Sequence, residues 1–573
     1  MFAQPIERAV SGQPAMTVIS QMLGPMREAP DHSDPRHVRL PHIMMPFALA
    51  LLLASLSLWI STRHNDFPQN YHPDEPSKIA QLVHPAQERN FNHPLLMLET
   101  ANAVRTALGV HNDERAVLIV GRWTSAAFAA IAVFALALAG YCFGGYQGLL
   151  LCGGMVALCP ALAVYAHFFK EDTALLAGLG IAVAGASWLL TATRPQTQWL
   201  ATAVMGVGFA AATSGKYVGV AAALPCMAAL VMAPKMERRW LMRRLVAFVV
   251  PAAIVMLIVN FRAFQNLVML TPVASQRVAG EFIHATTGHD GLTLGVPNAF
   301  LLRVSASELL PDVWLFLAVA TLVLLARARS LALSEMVGGL FLLTFALVLS
   351  WSAFPFPRYA LPVTVLGYFV SGQMMTSALQ RLERPVWLKS AALAGCVALV
   401  IAAQGAQIWR FNSQFADDSR QRLREWIASH LDEKATILVE DFTVLGGTGD
   451  SWRYPMQSTI RARIVKATSM ADRAPTLEQL KTSGVDYVAV AEPRYERYFR
   501  RGVHSMSSEG AAQVAQHKRL YKDLFARAQL VWSSVPSPPS HAYLDPELRL
   551  YRLPDVTVAG RKSQEEPEEG QPR

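Results

Sequence analysis

Two acidic pairs carry the chemistry open to this sequence. NYHPDEPSK, residues 70 to 78, sets Asp74 beside Glu75 between two prolines, and HFFKEDTALLAG, from His167, sets Glu171 beside Asp172 directly after Lys170. A carboxylate within reach of a hydroxyl can take its proton. Four cations interrupt apolar or outward-facing stretches: Arg122 in VGRWTSA, Lys170 itself, Lys216 in TSGKYVG and Arg358 in FPFPRYALP. Together they would hold an anion, and at a membrane interface a lipid phosphate is the natural one. A base beside a lipid phosphate specifies a reaction. In transfer of a sugar from a polyprenyl phosphate, the leaving group departs as an anion that Lys or Arg can stabilise, and the acceptor hydroxyl gives its proton to a positioned carboxylate. One carboxylate with cations suffices, whereas soluble glycoside hydrolysis divides the work between two spaced carboxylates. Both pairs also have a local account: Asp74 caps a helix with Pro76 in its first turn, and Asp172 before Thr173 caps another, with acidic groups meeting the helix dipole. A capping carboxylate can still act as a base, so the two accounts are compatible.

The elements that must position these residues are membrane helices. Of 573 residues only 16% are charged, below the roughly 25% of soluble domains, and the mean hydropathy is +0.27. Apolar runs long enough to span about 30 Å of hydrocarbon fall near 43–60, 116–140, 147–166, 173–193, 199–213, 217–233, 245–264, 312–326, 333–351, 359–379 and 388–407. The expected fold is therefore a polytopic α-helical membrane protein of about 11 transmembrane helices. Lys and Arg collect on the cytoplasmic side, so a cytoplasmic N-terminus places Arg36, Arg39, PKMERRWLMRR, RARS and RLERPVWLK inside. That assignment requires a break at Ser214-Gly215-Lys216, and it leaves the C-terminal portion outside. The basic composition, net charge +9, is then explained by cytoplasmic anchors, and no nucleic-acid partner is expected. The five cysteines lie in or beside spans and imply no external disulfide framework.

Residues 1–42 read as a disordered cytoplasmic segment, 43–407 as the membrane module with a large outer loop at 61–115, 408–556 as an extracytoplasmic α/β domain, and 557–573 as a disordered acidic tail. ATILVED, VDYVAVAE, AQLVWSSV and LRLYRLP predict strands, while LEQLKTSG and residues 511–528 predict helices. Asp418 or Ser419 caps a further helix. GGTGD at Gly446 lacks the spacing of a dinucleotide-binding loop.

YHPDE followed by FNHPLL, AHFFKEDTALL, TSGKY and RYALP, in this order and with an outward C-terminal domain, resemble the GT-C superfamily of membrane glycosyltransferases. The likeness is to its branch of protein O-mannosyltransferases, aminoarabinose transferases and their prokaryotic relatives, and covers most of residues 43–407. The resemblance implies an inverting transfer from a polyprenyl-phosphate-linked sugar to an acceptor hydroxyl outside the plasma or inner membrane. It makes Asp74 the base with Glu75 as an exchangeable neighbour, and Glu171 and Asp172 the second acidic site, which orients the acceptor or, in some branches, bridges to a metal. Lys216 and Arg358 become contacts to the donor phosphate, joined by Arg122 and Lys170. A lipid, glycan or protein could be the acceptor, although the tail departs from the eukaryotic mannosyltransferases. No cofactor is required by this reading, and a divalent metal stays open. His72, His84, His93 and His167 lack the helical spacing of a metal motif, and no metal ligand is assigned. The alternatives are a transporter or flippase of lipid-linked saccharides and an assembly protein using the bundle as an anchor.

Overall fold

The computed structural model describes residues 40–67, 70–84, 89–233, 238–268, 273–288, 291–308, 333–381, 385–445, 460–466, 474–535 and 543–554. The expected span at 312–326, the N-terminal and C-terminal tails, and GGTGD lie outside them. Apart from the start of the first helix, everything below belongs to one compact unit that begins at Ala48.

The helices that frame the chemistry are α1 (Leu40–Thr62), α2 (Glu75–Val83), α3 (Leu96–Ala107), α4 (Glu114–Ala157), α5 (Pro160–Tyr165), α6 (Asp172–Thr191), α7 (Pro195–Gly215), α8 (Ala223–Met232), α9 (Arg238–Val259), α10 (Leu333–Ser350), α11 (Leu361–Arg381), α12 (Val386–Ala416) and α13 (Ser419–His430). Among the described residues five helices are both long and apolar enough to cross a membrane, against about eleven expected. Part of the difference is local: the region beyond Lys216 is a 3₁₀ turn, Tyr217–Ala222, followed by the short α8. The expected break at Ser214-Gly215-Lys216 is present, since α7 ends at Gly215 and Lys216 is extended at φ −154° and ψ 140°. The long α4 is interrupted at Gly145, whose φ of 57° few other residues would adopt, so its two halves correspond to two of the expected runs.

α6 and α7 run back to back with almost nothing between them. A Cβ added at Gly178 would lie 2.0 Å from the Ala212 nitrogen, one at Gly208 2.2 Å from that of Ala182, and one at Gly185 2.5 Å from that of Met205. Small residues at such a seam let backbones touch, which is how helices gain packing energy where lipid removes the hydrophobic drive. The seam also fixes where Lys216, just past α7, stands relative to Asp172 at the start of α6. Gly178→Leu is expected to cost at least about 1–3 kcal/mol by overpacking. It should lower the melting temperature in detergent, whereas Gly154→Ala, where an added Cβ meets nothing within 4 Å, should not. Equal melting of the two variants would refute the seam.

The polar C-terminal third builds a five-stranded sheet from β1 (Thr436–Val439), β2 (Arg463–Lys466), β3 (Tyr487–Ala491), β4 (Gln529–Ser534) and β5 (Leu548–Arg552). Its order is β2-β1-β3-β5-β4, parallel across the first three and antiparallel across the last three. Four of these strands coincide with the expected ones, and so do the helices Leu477–Thr482 and Ser508–Arg527; β2 and the helix Glu492–Phe499 are additions. Side chains alternate between faces, as a strand's period of two demands. Val488, Val490 and Tyr551 pack with Tyr521 and Leu524 of Ser508–Arg527. On the other face Ile437, Val439, Leu548 and Leu550 share one core with Phe67, Tyr71, Phe168 and Phe415. The sheet thus rests directly on the segments that carry both acidic pairs.

Candidate active site

Asp74 and Glu171 occupy N-cap positions, at the starts of α2 and α6, and neither side chain makes a capping hydrogen bond. Asp172, expected as a cap, is the first residue of α6. The local account therefore gives the position of these carboxylates but not their partners, which are cations from elsewhere in the chain.

Asp74 is paired with Lys170, and its Oδ2 lies 3.7 Å from Nη2 of Arg358. Lys170 also meets Glu171 Oε2 at 3.0 Å and Nε2 of His93 at 3.0 Å. Lys78, one helical turn beyond Asp74, closes on Glu171. Lys216 donates to Asp172 Oδ1 at 2.6 Å and stands over the Tyr359 ring, 4.5 Å from its centroid. Asp74, Glu171 and Asp172 are thereby gathered with three of the four expected cations.

Glu75 and Arg122 form a separate pair. Both side chains are 0% exposed, with Nε to Oε1 at 3.1 Å and Nη2 to Oε2 at 3.2 Å. Nη1 of Arg122 donates to the carbonyls of Asn65 and Phe67 at 3.0 and 2.9 Å, and Glu75 Oε1 accepts from the Phe169 N–H at 3.0 Å. The guanidinium carbon lies 3.4 Å above the Phe67 ring. This fork ties α4 to the Asp74 loop and to the segment holding the second acidic pair. Neither Glu75, expected as an exchangeable base, nor Arg122, expected as a phosphate contact, lines the cavity described next; here they form a buried tie.

A cavity of about 1220 Å³ opens over the network, and Asp74, Lys78, His93, Glu171, Lys216 and Arg358 line it. Lys170 and Asp172 stand behind that wall. The Asp74 side chain is 36% exposed, against 3% for Lys170 and 5% for Glu171, so of the two carboxylates paired with Lys170 it is the one open to a molecule entering the cavity. Burial alone would raise the Asp74 pKa, but Lys170 and then Arg358 hold it well below the usual carboxylate range. Burial likewise works against ionised Glu171, and the ammonium groups of Lys170 and Lys78 overcome it. Desolvation pushes His93 down to about 3, leaving the ring neutral. Among the described residues no three His, Cys, Asp or Glu side chains are grouped as metal ligands, and the exposed carboxylate already faces cations.

The opposite wall was not legible in the sequence. Phe442, Arg494, Arg497 and Tyr543, all from the C-terminal third, line the same cavity. Arg497 is held over Phe356 and Phe442, 5.0 Å from each ring. Arg494 and Arg497 lie in the short helix Glu492–Phe499, and Phe442 and Tyr543 in connections, none with a motif of its own. Lys78 did carry a signal, its four-residue spacing from Asp74 on a helix.

No family model and no curated protein matches the chain. Among solved structures, ArnT from Cupriavidus metallidurans bound to undecaprenyl phosphate is similar at 14% identity and a TM-score of 0.46, over 89% of this chain and 98% of that one. The oligosaccharyltransferase AglB from Archaeoglobus fulgidus is similar at 9% identity and a TM-score of 0.48, over 90% and 75%. The S. cerevisiae protein O-mannosyltransferase Pmt1-Pmt2 complex aligns over 40% of this chain and 34% of its own, at 16% identity and a TM-score of 0.31.

Proposed function

We propose that the chain is an integral membrane glycosyltransferase that moves a sugar, with inversion, from a polyprenyl-phosphate-linked donor to an acceptor hydroxyl at the extracytoplasmic face. The observation that carries this reading is Asp74, a partly exposed carboxylate on a large cavity, set among Lys170, Arg358 and Lys216. In the proposed reaction the acceptor oxygen bonds to the anomeric carbon as the bond from that carbon to the phosphate oxygen breaks. The electron pair leaves with polyprenyl phosphate, whose added negative charge Arg358 and Lys216 stabilise, and the hydroxyl proton passes to Asp74. Glu171 and Asp172 hold Lys78, Lys170 and Lys216 in place and so set the field around the acceptor.

A carboxylate paired with lysine is a weak base, and the geometry supplies a remedy. Arg358 stands 3.7 Å from Asp74, and a phosphate drawn to that guanidinium competes with Asp74 for its charge. Donor binding then raises the basicity of Asp74 at the moment an acceptor needs it.

The test is purified protein in lipid nanodiscs, supplied with labelled polyprenyl-phosphate sugars and candidate acceptors, with products separated into lipid, glycan and protein fractions. Label is expected in one acceptor fraction with inverted anomeric configuration. No transfer from any donor of a broad panel by folded protein would sink the reading and turn attention to movement of the donor across the bilayer. Arg358→Ala and Lys216→Ala should each weaken donor affinity by about ten- to a hundredfold, the usual scale for a charge-assisted contact. Unchanged donor KM in both would place the phosphate elsewhere.

A further inference from the structure

We infer that Tyr543, in the C-terminal third, is a positioning residue for donor binding: its hydroxyl aims the Arg358 guanidinium at the cavity. The inference rests on the proposed role of Arg358 at the donor phosphate and extends that role to a part of the chain to which no chemistry was assigned.

Nη1 of Arg358 donates to the Tyr543 hydroxyl at 3.0 Å and lies 3.1 Å from Nε2 of His72. The other amino group, Nη2, is the one directed at Asp74. Neither group on Nη1 is a carboxylate: one is a hydroxyl, and the other is the His72 ring, whose pKa burial drives well below its ordinary value. A guanidinium anchored by neutral groups keeps its charge for an incoming anion. A carboxylate in either place would orient it equally well and cancel much of that charge.

The tyrosine is itself fixed on every side. Its ring stacks on Phe442 at 5.6 Å and 3° and meets the His72 ring edge-on at 4.8 Å and 72°. Its carbonyl accepts from Nη2 of Arg420, while Nη1 of the same arginine donates to the carbonyl of Tyr71 at 3.1 Å. Arg420 is held in turn by both oxygens of Asp418, each at 2.7 Å, and Asp418 also accepts from the Asp545 N–H at 2.7 Å. One buried arginine thus clamps the loop of Tyr543 to the loop of Asp74. The hydroxyl at the end of this chain of contacts has little freedom to point elsewhere.

The experiment measures binding of undecaprenyl phosphate, without a sugar, to wild type, Tyr543→Phe, Arg358→Ala and the double variant in detergent, alongside melting temperature and donor kinetics. Loss of one hydrogen bond to a charged group predicts affinity about ten- to a hundredfold weaker in Tyr543→Phe. The donor KM should rise similarly, with kcat nearly unchanged. In the Arg358→Ala background the tyrosine substitution should have no further effect, because it acts only through that guanidinium. Wild-type affinity in Tyr543→Phe, or losses that add in the double variant together with reduced melting, would overturn the inference and leave the proposed function standing. Failure of wild type to bind undecaprenyl phosphate would overturn both.

Discussion

Asp74→Asn is expected to lower turnover at saturating donor by at least about a hundredfold, the lower range for loss of a general base, with little change in melting temperature. The amide matches the carboxylate in shape but cannot accept the acceptor's proton. Lys170 retains Glu171 at 3.0 Å, so no buried ammonium is left without a carboxylate. The pH profile gives a second reading of the same group. Lys170 and Arg358 depress the folded-state pKa of Asp74, so the active, ionised form persists until pH falls through that depressed value, below the ordinary aspartate value of about 3.9. The acid limb of kcat/KM in the wild type should accordingly lie below about pH 4. Turnover of Asp74→Asn within a few-fold of wild type would remove Asp74 from the role, and an acid limb near pH 6 would point to another base.

Arg122→Leu should be the most destabilising single substitution at the site. It leaves the Glu75 carboxyl 0% exposed and without its fork, and strips donors from the carbonyls of Asn65 and Phe67. Removing one member of a buried pair costs about 3–5 kcal/mol, whereas replacing both by apolar groups is often neutral. Arg122→Leu with Glu75→Leu should therefore recover much of the melting temperature lost by Arg122→Leu alone. A single variant that melts like wild type would show that the fork contributes nothing to the fold, and a double variant worse than the single would refute the buried-charge explanation.

The order of YHPDE, KED, GKY and PRY along the chain was enough to gather most of the site, because each motif falls at the start or end of an apolar helix and such ends meet at an interface. The break before Lys216 was legible for a related reason: without it, a basic cluster would face the wrong side of the membrane. Which cation serves which carboxylate was not legible. Arg122 and Glu75 lie 47 positions apart, and Arg358 and Tyr543 are separated by 185; pairing at that range leaves no periodicity in the sequence. Capping chemistry located Asp74 at the start of α2 correctly and then misdirected attention, since the same residue types serve a helix terminus and an ion pair. Strand β2 escaped notice because its four residues, RIVK, alternate too briefly to stand out.

The order of the sheet has a consequence for how the molecule is made. β5 is synthesised after β4 and yet lies between β3 and β4, so β4 has no neighbour in the sheet until residue 552 has emerged. Tyr543 and Asp545 arrive on the segment leading into that strand. A nascent chain stopped just before Tyr543 would already contain every long apolar helix among the described residues, but not the strand that pairs with β4 or the hydroxyl that faces Arg358. The partners that anchor Arg358 are therefore complete only once the segment leading into β5 is in place.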